Sequence, residues 1–475
     1  MYNIEIMLKK IIIFFVVLLL NCYIVGRVFA SNNKVGIHIL ETAEVEQAGR
    51  LVNSSGGDWG YATIVLRDDD MDKEKWQKFM DDCRRLHLIP IVRLGTHTTP
   101  AGWAKPESLS KWPDFLDSLN WPVKEQWVVL FNEPNHTSEW AGEINPSEYA
   151  KIADELINLF RSKNPNFRVM LGGLDQAADG RNGTMTEDFF LAGILAQVPD
   201  IFSKVDAWAS HSYPNHGFVG RPEGVGKASI RGYEWELLQI GKDLPVYITE
   251  TGWPHGVGYY SEEIAADFIK QALEIWLSDE RVKAVTPFVL NYPAPPFEAF
   301  SWLKSDGSPS QKYEKVMQVG KVAGEPEQIE SYEIVGFKLA EILPVNYETK
   351  GKVKIKNTGQ WIMGERNKNL EFRVHPPAGG SEFGSDEENN GGCQIEQQPL
   401  LAELVYPGQE RELDFKIKTG MQSGECRLKV GDLEHGEKET VIYTFKPFEL
   451  KNKRVSLWQQ IKARIRLWFM EWLEK

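Results

Sequence analysis

Two glutamates at the ends of short apolar segments are the residues of this chain best placed to do chemistry. Glu133 closely follows the segment Trp127–Phe131, and Glu250 ends the segment Pro245–Glu250. Both segments are short, β-branched and aromatic, which is typical of buried strands. If both strands belong to a parallel barrel, their ends lie at the same face, and the two carboxyl groups can meet across a cleft.

Two facing carboxyl groups are suited to cleaving a glycosidic bond, because one can give up and recover a proton while the other attacks the sugar carbon. A hydrogen-bond donor to the sugar 2-hydroxyl, a cation and a phenol would assist them. An arginine beside a carboxylate holds it ionised. Side chains of these types lie at or beside the ends of predicted strands: Asn132, His211, Tyr213, Arg67 and Arg93. His211 and Tyr213 are two positions apart and therefore share one face of an extended segment.

The elements that must position these residues repeat along the chain. Eight strand-like segments are predicted: Val35–Leu40, Tyr61–Arg67, Leu88–Leu94, Trp127–Phe131, Arg168–Leu174, Val205–His211, Pro245–Glu250 and Val282–Asn291. Amphipathic segments that predict helices lie between them: Glu44–Asn53, Lys73–Leu86, Pro146–Lys163, Thr186–Gln197, Tyr233–Gly241 and Ser261–Leu277. This alternation predicts a (β/α)8 TIM barrel over residues 34–322. The alternative is a doubly wound open sheet, which would ordinarily have a glycine-rich loop after its first strand, whereas this chain has Ile39–Thr42 there.

The two acidic segments also resemble a known family. Asn132–Pro134 after the fourth predicted strand and Ile248–Trp253 after the seventh resemble the motifs of the clan A retaining glycoside hydrolases. The resemblance covers the barrel region alone. It implies that Glu133 is the acid/base and that Glu250 is the nucleophile.

The same resemblance implies roles for the neighbouring polar residues. Asn132 corresponds to the asparagine of the clan that binds the sugar. His211 and Tyr213 correspond to its strand-six histidine and tyrosine, and Arg67 corresponds to its strand-two arginine. Arg93, which ends the third predicted strand, is kept as a second candidate cation, and a structural salt bridge is its alternative.

One part of the chain departs from the clan, which usually has a tryptophan under the sugar at the end of strand eight. Here the stretch reads Phe288–Pro293. We expect Tyr292, or Trp302 from the following loop, to take that place. Trp253 is also expected to contact the sugar. Ordinary core packing is the alternative for each of these rings.

The net charge bears on the class of protein, and the N-terminal segment bears on its compartment. The net charge is −13, from 54 basic and 67 acidic residues, which argues against a general nucleic-acid-binding protein. Lys9 and Lys10 precede the apolar run Ile11–Leu20, and Val28–Ala30 resembles a cleavage site. Residues 1–30 are therefore interpreted as a signal peptide, with an uncleaved anchor as the alternative, and the protein is expected to be secreted or held at the cell surface.

The pattern changes after the barrel region. Short alternating segments with turn signals over residues 332–448 predict a small β-sandwich accessory domain. Cys393 and Cys426 lie in this region and could pair in an oxidising compartment. Cys83 is expected to be a buried apolar residue. No cysteine and histidine cluster has the spacing of a metal site, so no metal or cofactor is expected.

The last segment, residues 453–475, predicts an amphipathic helix. Trp458, Trp468 and Trp472 recur at helical spacing, and most basic side chains lie on the other faces. Such a helix could contact a membrane surface. The alternative is that it docks on the preceding domain through the same tryptophans.

The sequence thus predicts a retaining glycoside hydrolase that cleaves β-glycosidic bonds of an oligo- or polysaccharide by double displacement. The first alternative is a carbohydrate-binding surface protein on a degenerate barrel. The second is a transglycosylase that uses the same two glutamates with a different acceptor.

Overall fold

The computed structural model describes residues 32–364, 372–375, 393–399, 401–421, 423–432 and 436–445. The chain divides into two compact units between Glu327 and Gln328. The predicted signal peptide and the predicted C-terminal helix lie outside the described residues. Within the described ranges, no helix is both long enough and apolar enough to span a membrane.

The first unit alternates strands with helices, and a helix follows each strand. The elements in chain order are β1 Gly36–His38, α1 Val45–Val52, β2 Gly60–Arg67, α2 Lys73–Arg85, β3 Leu88–Gly95, α3 Lys111–Asp117, β4 Gln126–Leu130, α4 Pro146–Lys163, β5 Phe167–Leu171, α5 Glu187–Gln197, β6 Trp208–Ser210, α6 Gly232–Ile240, β7 Val246–Ile248, α7 Glu262–Ser278, β8 Val282–Val285 and α8 Gln311–Met317. A short antiparallel ribbon, Thr98–Thr99 with Gly102–Trp103, follows β3.

The strands of this unit form a closed ring. Strands β1 to β5 make one parallel sheet and β6 to β8 make another, each in chain order. Parallel bridges from Val35 to Val285 and from Asp175 to His211 join the two sheets at both edges. A doubly wound sheet has free edges, so that alternative is excluded, and the carboxyl ends of all eight strands lie at one face.

Apolar side chains fill the ring and its outer layer. Tyr61, Ile91, Met170 and Tyr247 belong to a buried cluster formed largely by strand residues. A larger buried cluster combines strand residues with the apolar faces of the helices. Packing on both faces explains why the strand segments read as nearly continuous apolar runs.

Two helices were missed by the sequence prediction, and several strands end before their predicted ends, β8 most clearly. Helices α3 and α8 were not predicted, because each has seven residues and so offers too short a window for periodicity. In α8 a lysine, Lys312, occupies a buried position and donates to the Phe300 carbonyl at 2.9 Å, which interrupts the apolar pattern. Strand β8 ends at Val285 rather than at Asn291. Beyond it, the backbone bonds irregularly to His38, with Leu290 N donating to the His38 carbonyl at 2.8 Å.

The described part of the second unit is all-β. Its strands are β9 Tyr332–Lys338, β10 Ile342–Pro344, β11 Glu348–Asn357, β12 Phe372–His375, β13 Gln394–Gln397, β14 Glu410–Lys418, β15 Gly424–Asp432 and β16 Gly436–Phe445. They form two four-stranded sheets, with orders β9-β11-β14-β13 and β10-β16-β15-β12. The two sheets share one buried apolar cluster. Cys393, beside β13, and Cys426, in β15, form a disulfide that links the sheets. Cys83, in the first unit, is free and buried, as predicted.

Candidate active site

The carboxyl ends of the strands bring the two glutamates together. Glu133 lies three residues after the end of β4, and Glu250 lies two residues after the end of β7. A carboxylate oxygen of each lies within 4.8 Å of the other, and a ring nitrogen of His211 lies within the same distance of both. The structure therefore brings the two predicted acidic residues and the predicted histidine into one cluster.

The backbone around Glu133 has an uncommon conformation. Phe131 and Glu133 have φ values of 68° and 27°, in a region that side chains other than glycine rarely adopt. The Glu133 N–H donates to the Gly173 carbonyl at 3.0 Å, which fixes the turn against the end of β5. A Cβ at Gly173 would lie 2.3 Å from the His211 ring, so a glycine there lets that ring stand beside Glu133.

Glu250 is buried and bonded through both carboxylate oxygens. Arg93, from β3, donates to its Oε1, and the Tyr213 hydroxyl donates to its Oε2 at 3.1 Å. Burial opposes the charge of this carboxylate, but the positive charges of His211 and Arg93 outweigh burial and hold the pKa of Glu250 well below its usual value. Glu250 is therefore an ionised carboxylate near neutral pH, held in a fixed orientation.

His211 connects the two carboxyl groups. Its Nδ1 lies 2.8 Å from Glu133 Oε1 and 3.9 Å from Glu250 Oε2, and its side chain is fully buried. Burial disfavours protonation of the ring, but the negative charges of Glu250 and Glu133 outweigh it and raise the pKa of His211. The Glu133 side chain is 21% exposed, against 10% for Glu250, so Glu133 is the more accessible of the pair.

Two residues in or beside the cluster were missed by the sequence analysis. His38, the last residue of β1, is fully buried, and its Nδ1 lies 3.7 Å from Glu250 Oε1. Burial, reinforced by the charge of Arg93, lowers the pKa of His38 to about 3, so this ring is neutral. It ends the observed strand, but the predicted strand ran on to Leu40, so the strand-end rule did not select it. Glu139 belongs to a 3-10 turn after β4 and carried no strand-end signal.

Asn132 and Glu139 lie together beside the cluster. Burial raises the pKa of Glu139 to about 7, and the neighbouring Asn132 side chain acts against this rise. Both line a small cavity of about 30 Å³ that Arg93 and Trp103 also line. The predicted sugar-binding asparagine thus lies next to the charged centre.

Arg67 does not occupy the position that the resemblance implied. Its guanidinium pairs with Asp69, and in the described structure none of its hydrogen bonds reaches either glutamate. Arg67 lies opposite Gly95 in the β2–β3 register, two positions beyond the level of Arg93. Arg93 is therefore the arginine that contacts the nucleophile candidate, and the correspondence of Arg67 is corrected.

Two of the three aromatic predictions are wrong. Trp253 and Trp302 are each 1% exposed and belong to the main apolar core. Trp253 packs on Phe268 with its ring edge and donates to the Gly220 carbonyl at 2.7 Å. Rings packed in this way have no free face for a sugar, so both residues have the packing role that was their alternative.

A phenylalanine occupies the region after strand eight where the clan has a tryptophan. Phe288 packs edge-on against His38, with ring centroids 5.4 Å apart, and is half-buried. Tyr292 is also half-buried and lies 6.2 Å from Phe288 and 5.4 Å from the exposed Phe297. Tyr292 thus belongs to an aromatic cluster whose member Phe288 contacts His38, and His38 in turn lies 3.7 Å from Glu250 Oε1.

Removing the charge of Arg93 should shift the pH dependence of activity. The positive charge of Arg93 lowers the pKa of Glu250, whereas burial raises it. Arg93→Gln removes that charge, so the pKa of Glu250 rises. More of Glu250 is then protonated and inactive in mild acid. We expect the acidic limb of the kcat/KM profile to move to higher pH by about one unit or more.

Profiles measured from acidic to neutral pH on one substrate would test this shift. Arg67→Gln is the matched control, since Arg67 pairs with Asp69 rather than Glu250, and its acidic limb should stay at the wild-type position. An unmoved limb in Arg93→Gln would contradict the electrostatic role of this ion pair.

The cluster could also be considered as a cation site. Within the described ranges, Glu133, His211 and Glu250 form the one group of three or more His, Cys, Asp or Glu side chains compact enough to hold an ion. The Arg93 guanidinium already bonds to Glu250 there. A divalent cation would compete with it for the same oxygen, so the donor set fits an arginine-paired carboxylate better than a metal.

A family model matches much of the barrel. Residues 75–312, half of the chain, match a family model described as glycosyl hydrolase catalytic core. No curated protein matches the sequence.

Several solved structures are similar in fold. A monomeric β-xylosidase from Caulobacter crescentus is 17% identical, covers 61% of this chain and 69% of its own, and has a TM-score of 0.43. An endo-β-1,3-glucanase from Sorangium cellulosum is 14% identical, with 61% and 98% covered and a TM-score of 0.41. A β-mannanase from Thermomonospora fusca is 15% identical, with 61% and 89% covered and a TM-score of 0.41.

Proposed function

Because the chain belongs to the glycosyl hydrolase catalytic core family and is a glycoside hydrolase, we propose that it cleaves β-glycosidic bonds with retention of configuration. The observation that carries this proposal is the spacing of the two glutamates, whose nearest carboxylate oxygens lie within 4.8 Å. Retaining enzymes hold their carboxyl groups about 5–5.5 Å apart, whereas inverting enzymes need about 6.5–9.5 Å to fit a water. The spacing therefore favours direct attack by a carboxylate.

The environments of the two carboxyl groups support different roles. Glu250 is ionised and bonded by Arg93 and Tyr213, as a nucleophile must be charged and aligned before it attacks. Glu133 is more exposed and bonds to a titratable partner, His211, which suits a group that must exchange a proton with substrate and water.

The proposed reaction has two steps. In the first, a Glu250 oxygen attacks the anomeric carbon while the protonated Glu133 gives its proton to the departing oxygen, which leaves a glycosyl ester on Glu250. In the second, Glu133 takes a proton from water, and the water oxygen attacks the same carbon and releases Glu250. Two inversions at one carbon give net retention. Asn132, beside Glu133, is proposed to donate to the sugar 2-hydroxyl in both steps.

The stereochemistry of the first product tests this proposal. Proton NMR of an aryl β-glycoside digest should show the β-anomer of the free sugar first, followed by slow mutarotation. Early appearance of the α-anomer would overturn retention. The same spectra detect transfer of the sugar to an added alcohol, which would reveal the transglycosylase alternative. The carbohydrate-binding alternative on a degenerate barrel is set aside, because the chain is a glycoside hydrolase.

The substrate is a carbohydrate, and we propose that it is an oligo- or polysaccharide outside the cell. The basis is the N-terminal pattern of residues 1–30, and the basic, tryptophan-bearing segment 453–475 supports contact with a membrane surface. Fractionation of an expressing culture tests both parts. Mature protein in the medium would support secretion, mature protein in the membrane fraction would support surface attachment, and retention in the cytoplasm would contradict both.

A further inference from the structure

A histidine–aspartate pair lies beside the proposed acid, and the proposed mechanism does not use it. His136 Nε2 lies 2.8 Å from Asp175 Oδ2. The two side chains are 26% and 25% exposed, so the pair is partly open to solvent. His136 lies in the loop after β4, and Asp175 lies in the loop after β5. The pair is therefore at the same face of the barrel as the two glutamates.

The pair is attached to the side of the site that holds Glu133. The His136 N–H donates to the Glu133 carbonyl at 2.9 Å. Asp175 forms a parallel bridge with His211, whose Nδ1 lies 2.8 Å from the Glu133 carboxylate. Within the described residues, no hydrogen bond joins the pair to Glu250. In the proposed reaction Glu133 gives its proton to the departing oxygen, so the pair borders the space of the leaving group.

The two loops are held together without this pair. Asn135 is fully buried, and its amide nitrogen donates to the carbonyls of Asp175 and Met185 at 3.0 and 3.1 Å. The Met185 N–H donates back to the Asn135 carbonyl at 2.8 Å, and the Thr137 N–H donates to the Gly183 carbonyl at 2.8 Å. A partly exposed ion pair adds little stability to such a connection. Joining the loops therefore does not account for the pair.

The bond to Asp175 leaves one nitrogen of the His136 ring for another molecule. A carboxylate can only accept, so His136 Nε2 carries the hydrogen of this bond. Among the residues that the structure describes, no group bonds to His136 Nδ1. That nitrogen accepts a hydrogen bond when the ring is neutral and donates one when the ring is protonated. A sugar hydroxyl can bond to it in either state, because a hydroxyl both donates and accepts.

The charges of the pair support each other. Burial disfavours protonation of His136, but its bond to Asp175 and the negative charge of Glu133 outweigh burial and raise the pKa of His136. Burial also opposes ionisation of Asp175, but its bonds to His136 and to the Ala177 N–H hold the pKa of Asp175 below its usual value. The ring is thus kept in a fixed orientation by an ionised partner.

We propose that the His136–Asp175 pair binds a hydroxyl of the leaving group, so that the substrate is a glycan whose leaving group is itself a sugar unit. This inference rests on the proposed role of Glu133 as the acid. An alkyl or aryl leaving group offers no hydroxyl to His136 Nδ1. The pair therefore favours a sugar over such groups through a contact that only the sugar can make.

The test uses three substrates that share one glycone. The first is the nitrophenyl β-glycoside that the wild-type enzyme cleaves fastest. The second is the β-linked disaccharide of that glycone that it cleaves fastest. The third is the trifluoroethyl β-glycoside, whose leaving alcohol has an acidity close to that of a sugar hydroxyl but carries no further hydroxyl. The third substrate separates a lost contact with the leaving sugar from a weakened acid.

His136→Ala should lower kcat/KM for the disaccharide about 10–100-fold, the usual effect of losing a hydrogen bond to a charged group. It should change kcat/KM for the nitrophenyl and trifluoroethyl glycosides less than about threefold. Asp175→Asn should show a smaller loss with the same selectivity, and the double variant should lose no more than His136→Ala alone. Equal losses on the disaccharide and the trifluoroethyl glycoside, or no loss on either, would overturn the proposal.

Two control variants test the alternative of a structural role. Asn135→Ala should lower the melting temperature by several degrees, because it removes the buried bonds between the loops, whereas His136→Ala should melt close to the wild type. Asp58→Asn alters a second histidine–aspartate pair, with His87 at the same 2.8 Å, which lies at the amino ends of β2 and β3. All three of its rates should match the wild type. A fall in melting temperature for His136→Ala as large as that for Asn135→Ala would contradict the binding role.

A failure of this inference is distinguishable from a failure of the proposed function. If the wild-type enzyme cleaves nitrophenyl β-glycosides but no β-linked disaccharide or longer glycan, the inference is wrong and the proposed function stands. If it cleaves no β-glycoside of any kind, the proposed function itself is wrong.

Discussion

Glu250→Gln should reduce kcat by roughly four orders of magnitude or more, because an amide cannot form the glycosyl ester that a carboxylate forms. The side-chain amide is nearly isosteric with the carboxylate. Its oxygen can still accept from Arg93, and its nitrogen can donate to the Tyr213 hydroxyl, both of which bond to Glu250 in the native protein. We therefore expect the variant to fold and to unfold at a melting temperature close to that of the wild type.

Steady-state rates and a thermal melt on the same preparation would check this result. Glu263→Gln is the control, because Glu263 is exposed on α7, and it should retain full activity. Near-wild-type turnover by Glu250→Gln, once contamination and deamidation are excluded by mass spectrometry, would remove Glu250 from the role of nucleophile.

Glu133→Ala should slow the cleavage of poor leaving groups about 10²–10⁴-fold, the usual contribution of a general acid. Activated nitrophenyl glycosides need little proton transfer to their leaving oxygen, so their first step should be much less affected. Their second step then limits the rate, because no base activates the water. Azide needs no base, and the removed side chain leaves room for it, since Glu133 is partly open to solvent.

Kinetics with a series of leaving groups, with and without azide, would check this role. The expected outcome is faster turnover of the activated substrate in azide and a β-glycosyl azide product, identified by NMR. The wild-type enzyme serves as the control and should show no acceleration. Losses that are equal for good and poor leaving groups, together with no response to azide, would count against Glu133 as the acid/base.

The strand-end rule selected, from the sequence, most of the residues that the structure gathers in the candidate site. It works because a parallel barrel brings the carboxyl ends of all its strands to one face, so a polar residue at such an end has few other places to lie. Glu133, Glu250, His211 and Tyr213 follow this rule, and the structure brings them into direct contact.

The rule fails where the position of a residue along its strand and the direction of its side chain decide which group it contacts. Arg67 and Arg93 lie at the ends of neighbouring strands. The sequence alone does not show which of the two arginines reaches Glu250. The β2–β3 register decides this by setting Arg67 two positions further along. Glu139 lies in the 3-10 turn after β4 and lines the cavity beside Asn132, and no strand-end position marks it in the sequence.

The tryptophans show a different limit of sequence analysis. Trp253 directly follows the nucleophile motif, yet it packs into the core with its ring edge on Phe268. A large aromatic side chain is favourable both in a core and under a sugar, so its position in the sequence does not separate the two roles. Only the packing of the neighbouring side chains distinguishes a tryptophan in the core from one under a sugar.

The bond between Cys393 and Cys426 has a practical consequence for producing the protein. It joins the two sheets of the C-terminal unit, whereas the described part of the barrel has no cysteine except the buried Cys83. In a reducing bacterial cytoplasm the C-terminal unit would fold without its covalent link, which typically stabilises a domain by about 2–4 kcal/mol. The barrel would fold under the same conditions without losing any link of its own. Export to an oxidising compartment is therefore the production route that preserves both units, and activity on small substrates alone is a poor measure of a preparation's integrity.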